Sequence, residues 1–294
     1  MAVSKTKTVP AFERVSFKAI VDDKKLTDAE LVKNLNKVME YDARENKRCF
    51  AGNDFLYHFQ MENLCKVRIK NKPSLEDMIN DEELYKVIWK NMVSLNRTGT
   101  LPNRLFEANR MNNTVSFFKA TTAKYVYKVV RATKVLDPTA GWGGRMIGAW
   151  ALDIPYTGID TNIDMKPAYD GMMAMMNRPN LKMIWEDCLK VDFAQIDYDC
   201  VLTSPPYINL EVYKHMTEFE TDHSYYTEWL IPLLDKCLLH IKQGGYVCFN
   251  ISPKMYQALT GHHKYKLCNL EINMLQQKRL GVDKQDKVYC WLKK

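Results

Sequence analysis

Three aspartates stand where short apolar runs of the sequence end, at positions 137, 160 and 187. Polar residues at the carboxyl ends of neighbouring strands in an open α/β sheet face a common ligand crevice. In such a crevice Asp137 would attract a cationic amino group, Asp160 would accept hydrogen bonds from ribose hydroxyls, and Asp187 would accept one from an adenine amine. Helix capping is the alternative for each aspartate singly, but three at successive strand ends favour a nucleoside site.

A glycine-rich turn follows the first of these aspartates. Residues 137–144 read Asp-Pro-Thr-Ala-Gly-Trp-Gly-Gly, and the glycines permit a ligand to approach the backbone closely. The spacing is not that of a GxxxxGK(S/T) phosphate loop, and an acidic residue in the turn would repel a pyrophosphate. A ligand with an ammonium, a ribose and an adenine but no phosphate is S-adenosylmethionine. We therefore predict that Thr139, Gly141 and Gly143 bind this cofactor, with a purely structural strand-to-helix turn as the alternative.

The elements around these residues alternate in type. From residue 134 onward, short β-rich runs alternate with helical patterns, which predicts an α/β fold of βαβ units with a mostly parallel sheet. Two further runs, 266–275 and 287–292, are predicted to close the sheet as an antiparallel pair. Up to about residue 110 the pattern is helical, with amphipathic helices predicted over 28–39 and 81–95.

The β-rich run 200–203 leads into Ser204, Pro205, Pro206 and Tyr207. Taken alone, Ser-Pro-Pro is a stiff extended turn, because proline fixes its own torsion and restricts the residue before it. In this place, downstream of the glycine turn, the tetrapeptide resembles the (D/N/S)PP(Y/F/W) signature of S-adenosylmethionine-dependent DNA amino-methyltransferases, which methylate N6 of adenine or N4 of cytosine. The resemblance covers roughly residues 115–293. It implies a Rossmann-like class I methyltransferase fold with a mostly parallel seven-stranded sheet.

In that family the tetrapeptide acts by geometry. The resemblance implies that the Ser204 hydroxyl and the Pro205 carbonyl accept hydrogen bonds from the two protons of the target amine, which aims the nitrogen lone pair at the methyl group. Tyr207 would stack on a flipped base, and the rigid Pro205 and Pro206 would hold the acceptors in place beforehand. The implied reaction is a direct in-line displacement that requires neither a metal nor a covalent intermediate.

The sequence departs from the family pattern in two places, and a third segment extends the implied cofactor site. The family's usual turn has Phe before the first glycine and Thr after the second, whereas this turn reads Thr-Ala-Gly-Trp-Gly-Gly-Arg, so Trp142 and Arg145 would alter how the methionine moiety is held. Ser204 replaces the commoner aspartate, so the proton would pass to water, and the target base stays open between cytosine N4, which this variant favours, and adenine N6. Upstream, Phe118 and Lys119 lie where the family contacts the cofactor from its other side, with ordinary packing as the alternative for Phe118.

The charge distribution predicts a polyanionic partner. The chain has a formal net charge of +7, and residues 1–133 carry 24 Lys and Arg against 16 Asp and Glu. We therefore predict a basic, mainly helical region over 1–112 that contacts nucleic acid, and a methyltransferase domain over 113–294. Within the first, four cations alternate along a β-like run and would either grip phosphates or line a solvated edge strand. They are Lys66, Arg68, Lys70 and Lys72.

Three functions are compatible with these features. The leading hypothesis is methylation of an exocyclic base amine in DNA, with a loop over 208–221 that reads or flips the base. The tetrapeptide would recognise an amine and not the polymer that carries it. The second hypothesis is therefore methylation of an RNA base or of a protein side-chain amide. A catalytically silent subunit that binds nucleic acid is the third. The sequence leaves open the recognition sequence, the strandedness of the substrate, a partner nuclease and the oligomeric state.

Composition favours an intracellular protein. Eight cysteines form no CxxC pair, so we expect reduced, packed thiols. No apolar run reaches the length of about 18 residues that spans a membrane, and the first ten residues lack the apolar core of a signal peptide. We expect no membrane partner and no metal site, and we expect His262 and His263 to face solvent.

Overall fold

The computed structural model describes most of the chain. The described residues are 11–69, 71–112, 115–207, 211–212, 215, 218–260, 267–273 and 286–294. The histidines at 262 and 263, Lys70 and part of the predicted base-reading loop lie outside them. In the described residues, no helix combines the length and the apolar character that crossing a lipid bilayer requires.

A seven-stranded sheet forms the centre of the structure. The strands of the described residues are β1 (Arg68–Ile69), β2 (Val135–Asp137), β3 (Tyr156–Asp160), β4 (Leu181–Trp185), β5 (Cys200–Thr203), β6 (Glu211–Val212), β7 (Tyr246–Ile251), β8 (Leu267–Asn273) and β9 (Lys287–Leu292). Seven of them form one sheet in the order β4-β3-β2-β5-β7-β9-β8. The first five in this order are parallel, and β9 is antiparallel to both of its neighbours. This is the Rossmann-like class I methyltransferase fold, which confirms the predicted sheet and its antiparallel closing pair.

Helices flank the sheet and make up most of the region before it. The helices of the described residues are α1 (Phe17–Asp22), α2 (Asp28–Glu40), α3 (Asn53–Cys65), α4 (Leu75–Asn80), α5 (Glu82–Leu95), α6 (Leu101–Asn112), α7 (Ala120–Val129), α8 (Gly144–Trp150), α9 (Lys166–Met176), α10 (Asp222–Tyr225), α11 (Ile231–His240) and α12 (Pro253–Thr260). The two amphipathic helices predicted from the sequence are confirmed as α2 and α5. In the capping box of α2, the Thr27 and Glu30 side chains each accept from the other's backbone N–H. Asp81 caps the first turn of α5.

Alternate residues of the strands enter two cores on opposite sides of the sheet. On one side, Val135 and Cys248 pack with α7, α8 and α9. On the other side, Leu136 and Phe249 pack with α11 and α12. The sheet is therefore buried on both faces, as expected of strands joined by helical crossovers, and ligands are expected at the rim formed by the carboxyl ends of the strands.

The helical region and the sheet share a core. Buried residues of α2 and α3 belong to the same cluster as those of α7 and α8, whereas α1, α4, α5, α6 and the end of α3 form a third, smaller core. The amino group of Lys124, in α7, donates to three carbonyls at the end of α2. These belong to Val38, Met39 and Tyr41, at 2.9, 2.6 and 2.9 Å. The proposed division after residue 112 therefore follows the change in secondary structure but not a gap between two cores.

The basic strand predicted over 66–72 is shorter than expected, and two of its cations are neutralised. Of the described residues in this run, Arg68–Ile69 form a strand, which pairs antiparallel with β6, just downstream of the tetrapeptide. The Arg68 guanidinium lies 3.0 Å from the Asp77 carboxylate, and the Lys66 amino group lies 2.7 Å from Glu62. These ion pairs favour a solvated strand over the phosphate grip that the alternation also allowed.

Candidate active site

The glycine turn between β2 and α8 is fixed from two neighbouring elements. Gly141 and Gly143 have φ angles of +58° and +91°, in the left-handed region that favours glycine. The Gly141 N–H donates to Asp160 Oδ2 at 2.8 Å, and its carbonyl accepts from the Tyr169 hydroxyl at 2.9 Å. A Cβ built at Gly141 would meet its nearest atoms, the Thr139 carbonyl oxygen and an Arg145 guanidinium nitrogen, at ordinary contact distances of 3.8 and 3.9 Å, so the positive φ and not a lack of space favours glycine here.

Asp137 lies beneath the turn and not on its surface. The residue is fully buried, and Oδ2 accepts from Arg145 Nε and from the Tyr156 hydroxyl, both at 2.7 Å. Burial alone would lower the pKa of Arg145, but the charge and the hydrogen bond of Asp137 raise it above its ordinary value. The direct contact with an ammonium group that the sequence predicted is therefore not available, because a buried guanidinium already neutralises the carboxylate. Arg145 also donates to the Thr139 carbonyl, so the ion pair supports the turn.

Thr203 joins the turn to the strand that carries the tetrapeptide. Its hydroxyl donates to Asp137 Oδ1 at 3.0 Å. The same oxygen lies 3.1 Å from the Thr139 amide nitrogen and 2.7 Å from the Thr139 hydroxyl. Since the single hydroxyl proton of Thr203 goes to the carboxylate, Thr139 must be the donor in the bond between the two hydroxyls. Sequence reasoning missed Thr203, although a hydroxyl that ends a buried strand directly before the tetrapeptide was a readable signal.

Asp160 keeps part of its side chain exposed at the end of β3. Its two carboxylate oxygens accept from the backbone N–H groups of Gly141 at 2.8 Å and Asn162 at 2.9 Å. Burial raises the pKa of Asp160 to about 6, although these two hydrogen bonds act in the opposite direction. The residue thus presents a carboxylate at the rim, in the position where open α/β sheets bind ribose hydroxyls.

Asp187 lies two residues beyond β4, on the same part of the rim. β3 and β4 pair so that Asp160 lies opposite Trp185, which brings the two aspartates to adjacent strand ends. The Asp187 carboxylate accepts from the Leu189 N–H at 2.9 Å, so it caps the following turn while remaining partly exposed. The His, Cys, Asp and Glu side chains of the described residues form no group of three that would hold a metal ion.

The tetrapeptide is held by side chains from other elements. Ser204 Oγ accepts a hydrogen bond from the side-chain amide of Asn250, in β7, with Nδ2 at 3.0 Å. The Pro206 carbonyl accepts from the Tyr225 hydroxyl at 2.7 Å, and the buried Tyr225 ring stacks on Trp229 at 5.5 Å. Pro205 is buried, whereas Ser204 and Pro206 are partly exposed. Sequence reasoning found the tetrapeptide but missed Asn250 and Tyr225, which approach it from distant parts of the chain.

Tyr207 is packed against the second core and interacts with a carboxyl group. Burial raises the pKa of Asp286, just before β9, while a hydrogen bond from the Tyr207 hydroxyl lowers it. The ring is partly buried against the cluster that covers one face of the sheet. Its predicted stacking on a flipped base stays a prediction.

Phe118 and Lys119 diverge at the start of α7. The Phe118 ring lies 5.2 Å from the Arg145 guanidinium, and its carbonyl approaches Gly144 so closely that a Cβ there would lie 1.9 Å from it. The ammonium of Lys119 instead lies 5.2 Å from the ring of the exposed Phe50. Burial, and then the nearby Arg48, lower the pKa of Lys119. Phe118 is therefore placed beside the turn, while the Lys119 ammonium is directed toward Phe50.

Comparison with known proteins yields structural likenesses at low identity. No family model matches the chain, and no curated protein matches its sequence. Among solved structures, the chain is similar to TrmN from Thermus thermophilus, with a TM-score of 0.44 and 14% identity over 67% of this chain and 55% of that one. The chain thus spans about half the length of that protein.

Two further solved structures resemble the chain. One is a protein of Listeria monocytogenes assigned to the class I S-adenosylmethionine-dependent methyltransferases, with a TM-score of 0.46 and 14% identity over 90% of this chain and 88% of that one. The other is an RNA methyltransferase from Salinibacter ruber in complex with S-adenosyl-L-homocysteine, with a TM-score of 0.40 and 13% identity over 61% of this chain and 94% of that one. At these values the likeness assigns neither a substrate nor a site residue to this chain.

Proposed function

We propose that this chain transfers a methyl group from S-adenosylmethionine to the exocyclic amine of a base in DNA, cytosine N4 or adenine N6. The observation that carries the proposal is the contact between two motifs 64 residues apart. Thr203, directly before the tetrapeptide, bonds to Thr139 in the glycine turn at 3.1 and 2.7 Å. The turn and the tetrapeptide therefore lie side by side at adjacent strand ends, as transfer between their two ligands requires.

The residues at the rim fit S-adenosylmethionine. Asp160 offers a carboxylate to the ribose hydroxyls, Asp187 offers one to the adenine amine, and Gly141 has no side chain that would keep a ligand away from the backbone. Asp137 holds the turn through Arg145 and does not itself contact the ligand. When bound, the cofactor supplies a methyl group activated by the positive charge on sulfur.

On the acceptor side, the residues bind and orient the amine. An exocyclic amine is a poor nucleophile because its lone pair is delocalised into the base. Hydrogen bonds from its two protons to the Ser204 hydroxyl and the Pro205 carbonyl would turn the lone pair out of the ring plane, and Tyr207 would stack on the base. Serine is not a strong base, so the proton would leave to water. The Tyr225 hydroxyl holds the Pro206 carbonyl and keeps the tetrapeptide in place.

DNA is the proposed polymer for two reasons. The tetrapeptide resembles that of DNA amino-methyltransferases, and the first half of the chain is basic, which suits a phosphate backbone. The groups at the rim recognise an amine, so an RNA base or a protein amide would meet the same side chains. A silent subunit would bind nucleic acid without binding the cofactor.

Transfer of label from radiolabelled S-adenosylmethionine tests the proposal. We expect label in DNA that is released by nuclease and not by protease, and mass spectrometry of the nucleosides then identifies the base. Ser204→Ala is expected to slow transfer at least about tenfold, whereas Ser94→Ala, on α5, is the matched control. If the label is found in RNA or in protein and not in DNA, that polymer is the substrate. No label in any polymer, with nucleic-acid binding but no cofactor binding by calorimetry, would identify a silent subunit.

A further inference from the structure

Asn250 is a polar residue in the interior of the sheet. It lies in β7, between β5 and β9, and is 5% exposed. Its neighbours along the strand, Phe249 and Ile251, are fully buried apolar residues. Asparagine is depleted in strands, and a residue that breaks the local pattern of a buried strand without a packing reason points to a functional site.

The carboxamide of Asn250 has one partner in the described part of the chain. Thr203 lies opposite Phe249 in the parallel pair of β5 and β7, so Ser204 comes next to Asn250. Asn250 Nδ2 donates to Ser204 Oγ at 3.0 Å, and Oδ1 is buried without a hydrogen bond to any residue that the structure describes. A buried acceptor left without a donor is costly, so stability alone does not favour this side chain here.

We propose that Asn250 is a positioning residue for Ser204, an inference that rests on the proposed function. A serine hydroxyl has one proton and two lone pairs. The bond from Asn250 occupies one lone pair of Ser204 Oγ and prevents the hydroxyl from rotating freely. The other lone pair, directed away from Asn250, then remains to accept a proton of the target amine. The hydroxyl is thereby oriented before the substrate arrives.

Asn250→Ala removes the donor without adding a group. We expect the turnover number to fall about tenfold or more, because the acceptor is no longer oriented. The cofactor dissociation constant should stay within about twofold, since Asp160 and the glycine turn are unchanged. Cys248→Ala is the matched control, because Cys248 is buried on the same face of β7 and its thiol contacts Cys200 and Cys290. It should leave the turnover number within about twofold of the wild type.

A double-mutant cycle separates positioning from a structural role. If Asn250 acts through Ser204, the variant carrying both Ser204→Ala and Asn250→Ala should be no slower than Ser204→Ala alone. A loss in the double variant equal to the product of the two single losses would overturn the inference. So would wild-type turnover in Asn250→Ala. If the wild-type chain labels no polymer, the proposed function fails first, and that outcome is distinct from a wild-type enzyme that is indifferent to Asn250.

Asn250→Asp keeps the shape of the side chain and serves where the alanine variant does not fold. When protonated, the new carboxyl can donate to Ser204 as the amide does; when ionised, it can only accept, and the Ser204 proton turns toward it. The pH dependence of turnover should therefore gain an ionisation that the wild type lacks. A pH profile identical to that of the wild type would contradict the proposal.

Discussion

The glycine turn and the tetrapeptide lie at adjacent strand ends, yet they are supported differently. The turn rests on a buried ion pair between Asp137 and Arg145, to which Tyr156 and Thr203 add hydrogen bonds. Ser204 and Pro206, in the tetrapeptide, are each held by one hydrogen bond from an uncharged side chain of another element. A buried ion pair holds the glycine turn rigidly, which is appropriate for a turn proposed to bind the same cofactor in every catalytic cycle. The tetrapeptide is held by fewer and uncharged hydrogen bonds, which is appropriate for a segment proposed to admit and release a base.

The largest effect is expected where the charged support is broken. Arg145→Ala would leave the Asp137 carboxylate buried without a counter-charge, so the free energy of unfolding should fall by about 3–5 kcal/mol. Urea denaturation measures this. Adding Asp137→Asn to the same variant should restore part of the loss, because the uncompensated charge is then removed. A loss below about 1 kcal/mol in Arg145→Ala would mean that the pair does not support the turn.

The next effect concerns the proposed cofactor contact at the rim. Asp160→Asn removes a charged acceptor from the ribose position, which should weaken S-adenosylmethionine binding by about 1.5–3 kcal/mol. Titration calorimetry checks this, with Asp170→Asn on the exposed face of α9 as the control. An unchanged affinity in Asp160→Asn would remove Asp160 from the cofactor site.

The raised pKa of Asp160 makes the same contact sensitive to pH. Because its pKa in the folded chain, about 6, lies above the ordinary 3.8, this residue contributes stability that is present below pH 3.8 and lost as the pH rises through 6. Ribose hydroxyls donate to the ionised form, so cofactor affinity should decrease as the pH falls below about 6, by at most about tenfold per pH unit. Calorimetry across this range should show a flat profile for Asp160→Asn. An equal slope in both proteins would assign the dependence to another group.

The smallest effect is expected in the support of the tetrapeptide. Tyr225→Phe removes the hydrogen bond to the Pro206 carbonyl but keeps the ring stacked on Trp229, so the free energy of unfolding should fall by about 1 kcal/mol. Denaturant unfolding and turnover should be measured together, with Tyr226→Phe as the neighbouring control. If Tyr225→Phe destabilised the chain as much as Arg145→Ala, the two supports would not differ.

The sequence predicts the sheet well because its strands are apolar runs separated by helical patterns. The mostly parallel sheet follows from that alternation, and the last two strand-like runs predict the closing antiparallel pair, whereas the order of the strands is seen only in the structure. The predicted contact of Asp137 with an ammonium group is wrong, because Arg145 pairs with this carboxylate. No spacing rule in the sequence indicates that pairing. The basic strand was too long in the prediction, because its partner, β6, lies more than a hundred residues further on. Single polar residues inside apolar strands, such as Asn250, carry no periodic signal at all.

The hydrogen bonds of Lys124 to the first half of the chain bear on whether the second half can be produced alone. All three of its carbonyl acceptors belong to residues 38–41. A truncated protein beginning at 113 would lose these acceptors and would expose to solvent the apolar patch of α7 and α8 that α2 and α3 now cover. We expect such a protein to aggregate on expression, because the first hundred residues cover an apolar surface that the second half of the chain would otherwise expose.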